Sequence, residues 1–532
     1  MTGTGSLIRL ILRRDRFLLP LWAVLLPLVP VGYASSLRAL FPTAAERAGY
    51  ARVSADSAGF VALLGPLHGS SLGDLVAWRS GFLLVLAGLF SLLTVIRHTR
   101  TDEELGRTEL IGAGAVSRPA GLVAALLVAL GANVVLAVIV MGGLIGLGLP
   151  VAGSVLFGVS FGLAGWAFAA VGAVSAQLSS SARTARSIAI IGLGATFVLR
   201  MAGDVDALGG GALSWLTWVS PVGWIQHVFP YGPSALLPLF LALAFTVAAG
   251  LAAVAMVSRR DIGEGVLPAR PGTPTAGAAL SGPIGLAWRL HRGMLIGWLA
   301  GFAVLGLVFG GVAKSIADLA DENSSLSEIL GRLGGSTAAV DQYFATALGM
   351  MGLIAAAYAV QAALRLHDEE GTGHAEAVLA TRTGRVRWAA GHLMFSLFGP
   401  AAALLVGGAV CGLVAGLALD NVGREVPALL GGAAAQIPAV WVLATLAVLL
   451  FGVLPRQAPA AWGALAVCFF LLIGGAILQL NHWIMDLSPF THIPHLPGAA
   501  ATPLPFVVLT ALAVVLAAAG LTAFRRRDVP AI

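Results

Sequence analysis

Charged side chains gather in two loops of an otherwise apolar sequence, at 98–119 and 367–387. Each loop has three consecutive acidic residues near its start and an arginine near its end, and one further glutamate lies between them. These residues are Asp102, Glu103, Glu104, Glu109 and Arg118 in the first loop, and Asp368, Glu369, Glu370, Glu376 and Arg385 in the second. Acid at the start of a segment and base at its end complement a helix dipole, so a short surface helix is predicted in each loop. Two loops of complementary charge suit the docking of a partner; a plain solvated loop is the alternative interpretation.

Other chemistries lack the residues that they need. A P-loop requires Gly-Lys-Ser/Thr, and the sole lysine, Lys314, is preceded by alanine. The histidines His227 and His495 lie in aromatic segments without the Cys/His spacing of a metal site, so ordinary interfacial histidines are expected. Cys411 and Cys468 fall in apolar runs and are interpreted as packing residues. We therefore predict no catalytic residue, no metal site and no cofactor bound by this chain.

Hydropathy defines the elements that must carry the two loops. Of 532 residues, 58% are hydrophobic and 11% charged, with a mean hydropathy of +0.92. Soluble domains have about 45–50% apolar and about 25% charged residues. Apolar runs long enough to cross a bilayer occur near 17–37, 80–97, 120–148, 152–178, 187–203, 234–257, 294–313, 343–364, 391–418, 429–453, 461–480 and 504–524. The predicted fold is an all-α polytopic membrane protein with about 12 transmembrane helices.

The basic residues predict the orientation of these spans. With the N-terminus inside, 23 of the 31 basic residues fall in cytoplasmic segments, in agreement with the positive-inside rule. Both termini are therefore predicted to be cytoplasmic, with the protein in the cell membrane. Since the formal charge of +6 follows from these loop arginines, no nucleic-acid partner is predicted. The first span is not interpreted as a cleaved signal peptide, because the same pattern recurs in mid-chain.

Internal similarity divides the sequence into two parallel halves. The matches occur in the same order in both halves. Arg13, Arg16 and Trp22 match Arg289, Arg292 and Trp298 at an offset of 276; Glu109 and Arg118 match Glu376 and Arg385 at 267; Ser220, Pro221 and His227 match Ser488, Pro489 and His495 at 268; and Arg259, Arg260 and Asp261 match Arg526, Arg527 and Asp528 at 267. We predict a first six-span repeat at 1–257, a cytoplasmic linker at 258–283 and a second six-span repeat at 284–532.

Two further elements recur in each half. A basic amphipathic stretch (SLIRLILRRDR and GLAWRLHR) precedes the first span and is predicted to lie along the inner membrane surface. An aromatic, proline-broken segment precedes the last span, and such backbone cannot cross lipid unsupported. We predict a re-entrant or interfacial outer element at each of these segments, carrying Ser220, Pro221 and His227 in the first half and Ser488, Pro489 and His495 in the second.

The order of these elements resembles the type-2 ATP-binding-cassette exporter permeases. The duplicated twelve-span form, with E-x₈-R in each polar loop, is similar to the actinobacterial permeases known as exporters of polyketide antibiotics or of multiple drugs. The resemblance covers essentially the whole chain and rests on EELGRTELIGAGAVSR in the first loop. The second loop, EEGTGHAEAVLATRTGR, lacks the Gly-Arg before its glutamate.

The resemblance implies that each polar loop is a coupling helix that docks into a groove on an ATPase subunit. The matching positions are Glu109, Arg118, Glu376 and Arg385, and the neighbouring acidic residues of the predicted coupling loops are Glu103, Glu104, Glu369 and Glu370. The implied partners are two copies of a soluble nucleotide-binding ATPase, which would carry ATP and Mg²⁺, together with membrane lipids and a small lipophilic cargo. The implied function is ATP-driven export of antibiotics, drugs or lipids by a permease subunit that is not itself an enzyme.

Two other functions stay open on the sequence. An ion-gradient-driven carrier usually buries ionisable residues in its spans, whereas Asp204, Asp206 and Asp341 are expected at outer ends, and Arg200 and His392 near ends. Proton coupling is therefore the less favoured energy source. A polytopic membrane transferase is less favoured still, because no Ser/His/Asp or paired-carboxylate group falls together in the spans. Spans rich in Leu, Val, Ala and Gly favour a lipophilic or amphipathic cargo, without indicating which residues contact it.

Overall fold

The computed structural model describes residues 2–112, 114, 116–268, 275, 277, 280, 282–322, 336–477 and 481–528. Within these residues every regular element is a helix, and eleven helices are long and apolar enough to span a membrane. The prediction of an all-helical, polytopic membrane protein is confirmed at this level. The chain divides into two compact units, Met1–Gly272 and Thr273–Ile532. The division falls inside the predicted linker 258–283, of which 269–274, 276, 278, 279 and 281 lie outside the described residues.

The first unit contains six candidate spans with short helices between them. In chain order its helices are α1 (Thr4–Arg14), α2 (Leu18–Leu40), α3 (Ala44–Ala55), α4 (Ala58–Leu64), α5 (Leu72–Arg79), α6 (Gly81–Ile96), α7 (Arg107–Gly112), α8 (Ala120–Gly146), α9 (Val151–Leu178), α10 (Ala182–Leu208), α11 (Pro221–Gln226) and α12 (Leu237–Arg259). The spans are α2, α6 with its helical continuation to Glu104, α8, α9, α10 and α12. A 3₁₀ turn at Ser214–Val219 precedes α11.

The second unit contains the other five candidate spans. Its helices are α13 (Pro283–Gly311), α14 (Ala313–Glu322), α15 (Ser336–Gly371), α16 (His374–Leu379), α17 (Arg385–Ala418), α18 (Val422–Val453), α19 (Ala461–Ile477), α20 (His482–Met485) and α21 (Pro503–Arg526), with 3₁₀ turns at Pro455–Ala460 and Pro489–His492. The spans are α13 with the start of α14, then α15, α17, α18 and α21. The predicted span 461–480 coincides with α19, which has 17 described residues; its last three predicted positions lie outside the described residues.

One helix occupies the centre of each unit. In the first unit α9 packs against α6, α8 and α12, and in the second unit α18 packs against α15, α17 and α21. Both are the fourth long helix of their unit, and their neighbours are the second, third and sixth. Small residues permit this packing, as is usual between helices in lipid. A Cβ atom at Gly452 of α18, for example, would collide with the backbone oxygen of Gly520 in α21.

The two units differ at their starts. In the first unit the amphipathic stretch is a separate helix, α1, because the chain leaves helical geometry at Asp15 before α2 begins. In the second unit the stretch GLAWRLHR, predicted to lie along the inner membrane surface before the first span, is continuous with that span in one helix, Pro283–Gly311. Pro283 stands at the start of α13, where a proline fits the first helical turn. The following residues, through His291 and Gly293, continue the helix without a break.

Candidate functional site

The first polar loop begins while α6 is still helical. Beyond Ile96 the helix widens into one π-helical turn, Arg97–Thr101, which is followed by Asp102–Glu104. Such turns occur often at functional sites. Here the turn carries His98 and Arg100, whose side chains are fully buried. Nε of Arg100 donates to the Ala176 carbonyl oxygen near the end of α9, at 2.8 Å, so the start of the loop is anchored on the central helix.

Alternating charges join the polar loop to α1. Nε2 of His98 lies 2.6 Å from Oδ2 of Asp15, the residue that ends α1. Arg97 lies 3.2 Å from the other carboxylate oxygen of Asp15. Arg14 donates to both oxygens of Asp102, at 2.8 and 2.7 Å. The helix before the first span and the start of the polar loop are therefore fixed to one another.

Glu103 joins the same loop to the end of the last span. It accepts two hydrogen bonds from Arg260, at 2.6 and 2.8 Å, and a third from the amide of Gly263 at 2.6 Å. The side chains of Glu103 and Arg260 are only 7% and 10% exposed. Nε of Arg260 donates to Oε1 of Gln177 at 2.8 Å. A bidentate guanidinium–carboxylate pair of this kind is among the stronger and more directional polar contacts in proteins.

The second unit contains the same contact at a constant offset along the chain. Oε2 of Glu370 accepts from Nη2 of Arg527 at 2.6 Å, with side chains 8% and 16% exposed. Both residues lie 267 positions after their counterparts in the first unit. We call the pairs Glu103–Arg260 and Glu370–Arg527 the loop latches, because each holds a polar loop against the end of the last span in its own unit.

Further contacts recur at nearly the same offsets. Arg118 lies 3.5 Å from Asp261, just past α12, and Arg385 donates to the carbonyl oxygens of Arg525 and Arg527 at the end of α21. Aromatic contacts recur as well: Trp22 stacks on Phe90 and Trp298 on Tyr358, while the indoles of Trp166 and Trp441 donate to the carbonyl oxygens of Leu130 and Leu397. Corresponding residues of the two units thus contact corresponding parts of the chain.

A relative with a known role matches almost the whole of this chain. The chain is 43% identical over 530 residues to the multidrug efflux system permease protein Rv1217c of Mycobacterium tuberculosis (strain ATCC 25618 / H37Rv), covering 99% of this chain and 95% of that protein. The chain belongs to this family of multidrug efflux permeases. Residues 280–525 of the permease also match the family model described as the C-terminal domain of multidrug efflux system permease Rv1217c. With eleven apolar helices among its described residues, the permease is a multi-pass protein of the cell membrane.

In the permease, four of the carboxylates predicted in the coupling loops form internal contacts. Glu103 and Glu370 belong to the loop latches. Oε2 of Glu104 accepts from the amide of Ala182 at the start of α10, at 3.0 Å. Glu369 accepts from Nε of Arg365 at 2.8 Å. These four carboxylates form contacts within the protein. A surface for a partner would therefore consist mainly of the other exposed residues of the loops.

Glu109 and Glu376 are the clearest of these exposed residues. The short helices predicted in the polar loops are present as α7 and α16, and each glutamate lies in the first turn of its helix. Both side chains are exposed, and neither forms a hydrogen bond or ion pair within the described residues. Arg118 is also half-exposed at the end of the first loop. Each loop therefore exposes a carboxylate at its surface, while its latch fixes the loop to the end of the last span.

The proline-broken outer elements also have matching local structure. Oγ of Ser220 accepts from the amide of Gly223 at 3.3 Å and caps α11. Oγ of Ser488 accepts from the amide of Phe490 at 3.3 Å and caps the 3₁₀ turn at 489–492. Both serines and the prolines that follow, Pro221 and Pro489, are buried. Short capped helices, each starting at a Ser-Pro pair, therefore precede the last spans.

The histidines of these elements have ordinary surroundings. Nδ1 of His227 lies 2.9 Å from the Gly223 carbonyl oxygen, whereas His495 is exposed. Burial, together with the nearby His227, lowers the pKa of His68, and burial raises the pKa of Tyr231 to about 12. Both His68 and Tyr231 are accordingly neutral at pH 7. Among the described residues no group of three or more His, Cys, Asp or Glu side chains is placed to hold a metal ion.

Sequence reasoning missed the basic partners in the loop latches. Arg260 and Arg527 were recognised only as part of a repeated Arg-Arg-Asp motif, and the acidic clusters only as repeated loop charges. The signal that would have joined them is the shared offset of 267, which relates both Glu103 to Glu370 and Arg260 to Arg527. Two charges of opposite sign that keep the same offset in a duplicated sequence are candidates for a contact.

Proposed function

We propose that the permease is the membrane subunit of an ATP-driven exporter of the type-2 ATP-binding-cassette class. The observation that carries the proposal is the geometry of the two polar loops. Each loop is latched to the last span of its unit and presents an exposed glutamate, Glu109 or Glu376, in a short helix. A partner that pulls on this helix would move the last span with it, which is what a coupling element has to do.

We also propose the duplicated, twelve-span architecture with both termini cytoplasmic. The apolar α19 is the twelfth span in this proposal, and the repeats extend over 1–257 and 284–532 with the linker 258–283 between them. The proposal is supported by the equal packing of α9 and α18 in their units and by contacts that recur at an offset of 267. The arginine-rich loops lie on the cytoplasmic side in this arrangement.

The energy source in this proposal is a separate ATPase. The sequence contains no Gly-Lys-Ser/Thr for a P-loop, so ATP and Mg²⁺ would be held by the partner. Because each unit presents one polar loop, two copies of the ATPase subunit are proposed per permease. The permease itself would have no enzymatic activity.

The proposed cargo is a lipophilic or amphipathic compound moved out of the cell. The relative is named as a permease of a multidrug efflux system, and the spans are rich in Leu, Val, Ala and Gly, which offer few polar groups to a hydrophilic cargo. Antibiotics, other drugs and lipids all fit this description. A contribution to antibiotic resistance would follow from export of the first two.

One observation favours an ion-driven carrier as the second candidate. Arg200 and Asp204, which were expected near a helix end, are buried within the candidate span α10, and Glu425 is buried near the start of α18. Ionisable side chains inside spans often mark ion pathways. Here, however, Asp204 lies 3.4 Å from Arg200 and Glu425 lies 2.6 Å from Arg424. Carboxylates held by a fixed cation suit a structural role better than proton transfer.

Purification of the permease from its native host in mild detergent tests the proposal directly. We expect a nucleotide-binding subunit to co-purify at close to two copies per permease and to hydrolyse ATP. A permease that is isolated alone and without ATPase activity, under conditions that keep other membrane complexes intact, would contradict the exporter proposal. In that case efflux should collapse with the proton gradient while ATP is maintained.

Charge reversal at the two exposed glutamates tests the docking surface. In the double variant Glu109→Lys/Glu376→Lys we expect loss of the co-purifying ATPase and of efflux, with normal membrane insertion, because both side chains are exposed and contribute little to stability. The matched control is Glu264→Lys, an exposed carboxylate outside the polar loops, which should leave both properties unchanged. Unaltered efflux in the double variant would exclude these glutamates from the interface.

A further inference from the structure

A cavity of about 210 Å³ lies where α1, the polar loop and the end of α12 meet in the first unit. One wall is apolar and includes Leu7, Leu10 and Ile11 from α1, Leu122 from α8 and Val257 from α12. The other wall is polar and includes the cations Arg14, Arg118 and Arg260 together with His98, Asp102, Glu103 and Asp261. A cavity divided in this way suits an amphipathic ligand, whose apolar part would lie along α1.

The polar wall retains unused hydrogen-bond donors. Arg118 is half-exposed and its closest carboxylate, on Asp261, is 3.5 Å away. Arg14 donates to Asp102 through Nη1 alone, so the N–H groups of its Nη2 and Nε remain available. Guanidinium groups with spare N–H donors bind phosphate oxygens well.

The size of the cavity decides which ligand it fits. Drug-sized ligands occupy pockets of about 300–1,000 Å³, so a cavity of about 210 Å³ is too small for most such cargo. A phosphate-bearing lipid headgroup is smaller, and its acyl chains can remain in the bilayer. The strongly amphipathic α1, with basic residues in its last turn, is the kind of helix that lies at the membrane surface among anionic lipids.

We propose that this cavity binds the headgroup of one anionic phospholipid, with the phosphate on Arg118 and Arg14 and the first methylenes on Leu7 and Leu10. The site goes beyond the transport function and does not depend on an ATPase partner. A lipid held there would bridge α1, the polar loop and α12, and so would brace the first loop latch from its membrane side.

The second unit provides an internal comparison. Two residues that line the cavity, Gly121 and Val257, correspond at the offset of 267 to Trp388 and Phe524. These two aromatic side chains are each 2% exposed, and their ring centroids lie 5.8 Å apart. Aromatic packing occupies the corresponding place in the second unit. The proposal is therefore one lipid per permease, bound to the first unit.

Replacing Gly121 by tryptophan, the residue at the corresponding position of the second unit, tests the proposal. A Cβ atom at Gly121 meets no neighbour within 4 Å, and the same holds for Gly131 on the same helix, so both positions accept a side chain. Gly121→Trp should fill the cavity, whereas the exposed Gly131→Trp is the matched control. Arg118→Gln removes a guanidinium without filling the space.

The full permease is purified in detergent and titrated with dioleoylphosphatidylglycerol or dioleoylphosphatidylcholine, and bound lipid is counted by native mass spectrometry. We expect one retained phosphatidylglycerol per wild-type permease, and at least about tenfold weaker binding for phosphatidylcholine, for Gly121→Trp and for Arg118→Gln. Gly131→Trp should bind as wild type.

Equal binding of the two lipids, or full binding by a monodisperse Gly121→Trp protein, would overturn the proposal. Displacement of the lipid by millimolar inorganic phosphate would instead assign a free-anion site. Since lipid is counted without ATP or cargo, failure of the exporter proposal would leave this result unaffected.

Discussion

The variant Arg260→Ala is expected to lose about 3–5 kcal/mol of unfolding free energy, because a carboxylate almost out of reach of water loses two charge-assisted hydrogen bonds. Glu103 accepts two hydrogen bonds from this guanidinium, and both side chains are close to fully buried. The amide of Gly263 would remain as a donor to Glu103, and Nη1 of Arg100 would remain 3.3 Å from Oε2 of Glu103, so the loss should fall at the lower end of this range. For a unit of this size the loss corresponds to a fall in melting temperature of roughly 2–4 °C per kcal/mol.

The chain supplies a matched control beside each latch. Arg259 and Arg526 are the exposed neighbours of Arg260 and Arg527, and their alanine variants should change stability by no more than about 0.5 kcal/mol. The measurement is the melting temperature of detergent-solubilised permease, followed by fluorescence-detected size-exclusion chromatography. If Arg260→Ala and Arg259→Ala had the same melting temperature, the Glu103–Arg260 latch would contribute nothing to stability.

Exchanging the two charges of the first loop latch tests separately whether the latch stabilises the fold and whether it couples ATP hydrolysis to efflux. The double variant Glu103→Arg/Arg260→Glu should regain part of the stability lost by Arg260→Glu alone, because the ion pair is restored with its direction reversed. The Gly263 amide would then face a donor, and the buried Arg100, which lies 3.3 Å from Oε2 of Glu103, would face a like charge, so recovery should be incomplete. A folded double variant in which ATP hydrolysis persists while efflux per ATP falls would indicate that the latch transmits movement.

The spans were predictable because each depends on a local property of the sequence. An apolar run of about 20 residues has few alternatives to a membrane helix, and runs such as 120–148 and 152–178 correspond to α8 and α9 within two residues. The short helices in the polar loops were also local, since acid near the start and base near the end suffice to indicate them. Helix ends in the second unit were less predictable: α13 begins eleven residues before the predicted span 294–313.

The contacts that the loop charges form within the protein could not be predicted in the same way. A carboxylate in a polar loop looks alike in sequence whether it faces solvent, as Glu109 does, or a buried arginine, as Glu103 does. The difference arises from the π-helical turn at 97–101, which shifts the phase of the side chains after α6. The sequence RHTRT contains no pattern that predicts such a turn. Burial of Arg100 and His98 follows from the same turn, and it too was missed.

The variant Arg200→Met is the second change for which a large loss is expected, again about 3–5 kcal/mol. The guanidinium of Arg200 is fully buried and donates to three consecutive carbonyl oxygens, those of Val61, Ala62 and Leu63, at 3.0, 2.7 and 3.3 Å. Methionine has a similar length but no donor, so the buried last turn of α4 would lose its hydrogen bonds to α10. Arg186→Met on the same helix is the control, because Arg186 is exposed and should change stability by at most about 0.5 kcal/mol.

The carboxylate beside Arg200 then distinguishes the exporter from the ion-driven carrier. Asp204 accepts from Oγ1 of Thr217 at 2.7 Å and lies 3.4 Å from Arg200. Asp204→Asn retains the hydrogen-bonding shape but cannot take up or release a proton. If Asp204 serves only to pair Arg200, this variant should lower the melting temperature while the folded fraction still exports cargo on ATP alone. Complete loss of efflux at an unchanged melting temperature would show that the proton on this carboxylate is needed for transport, and the ion-driven carrier would replace the ATP-driven exporter as the proposed function.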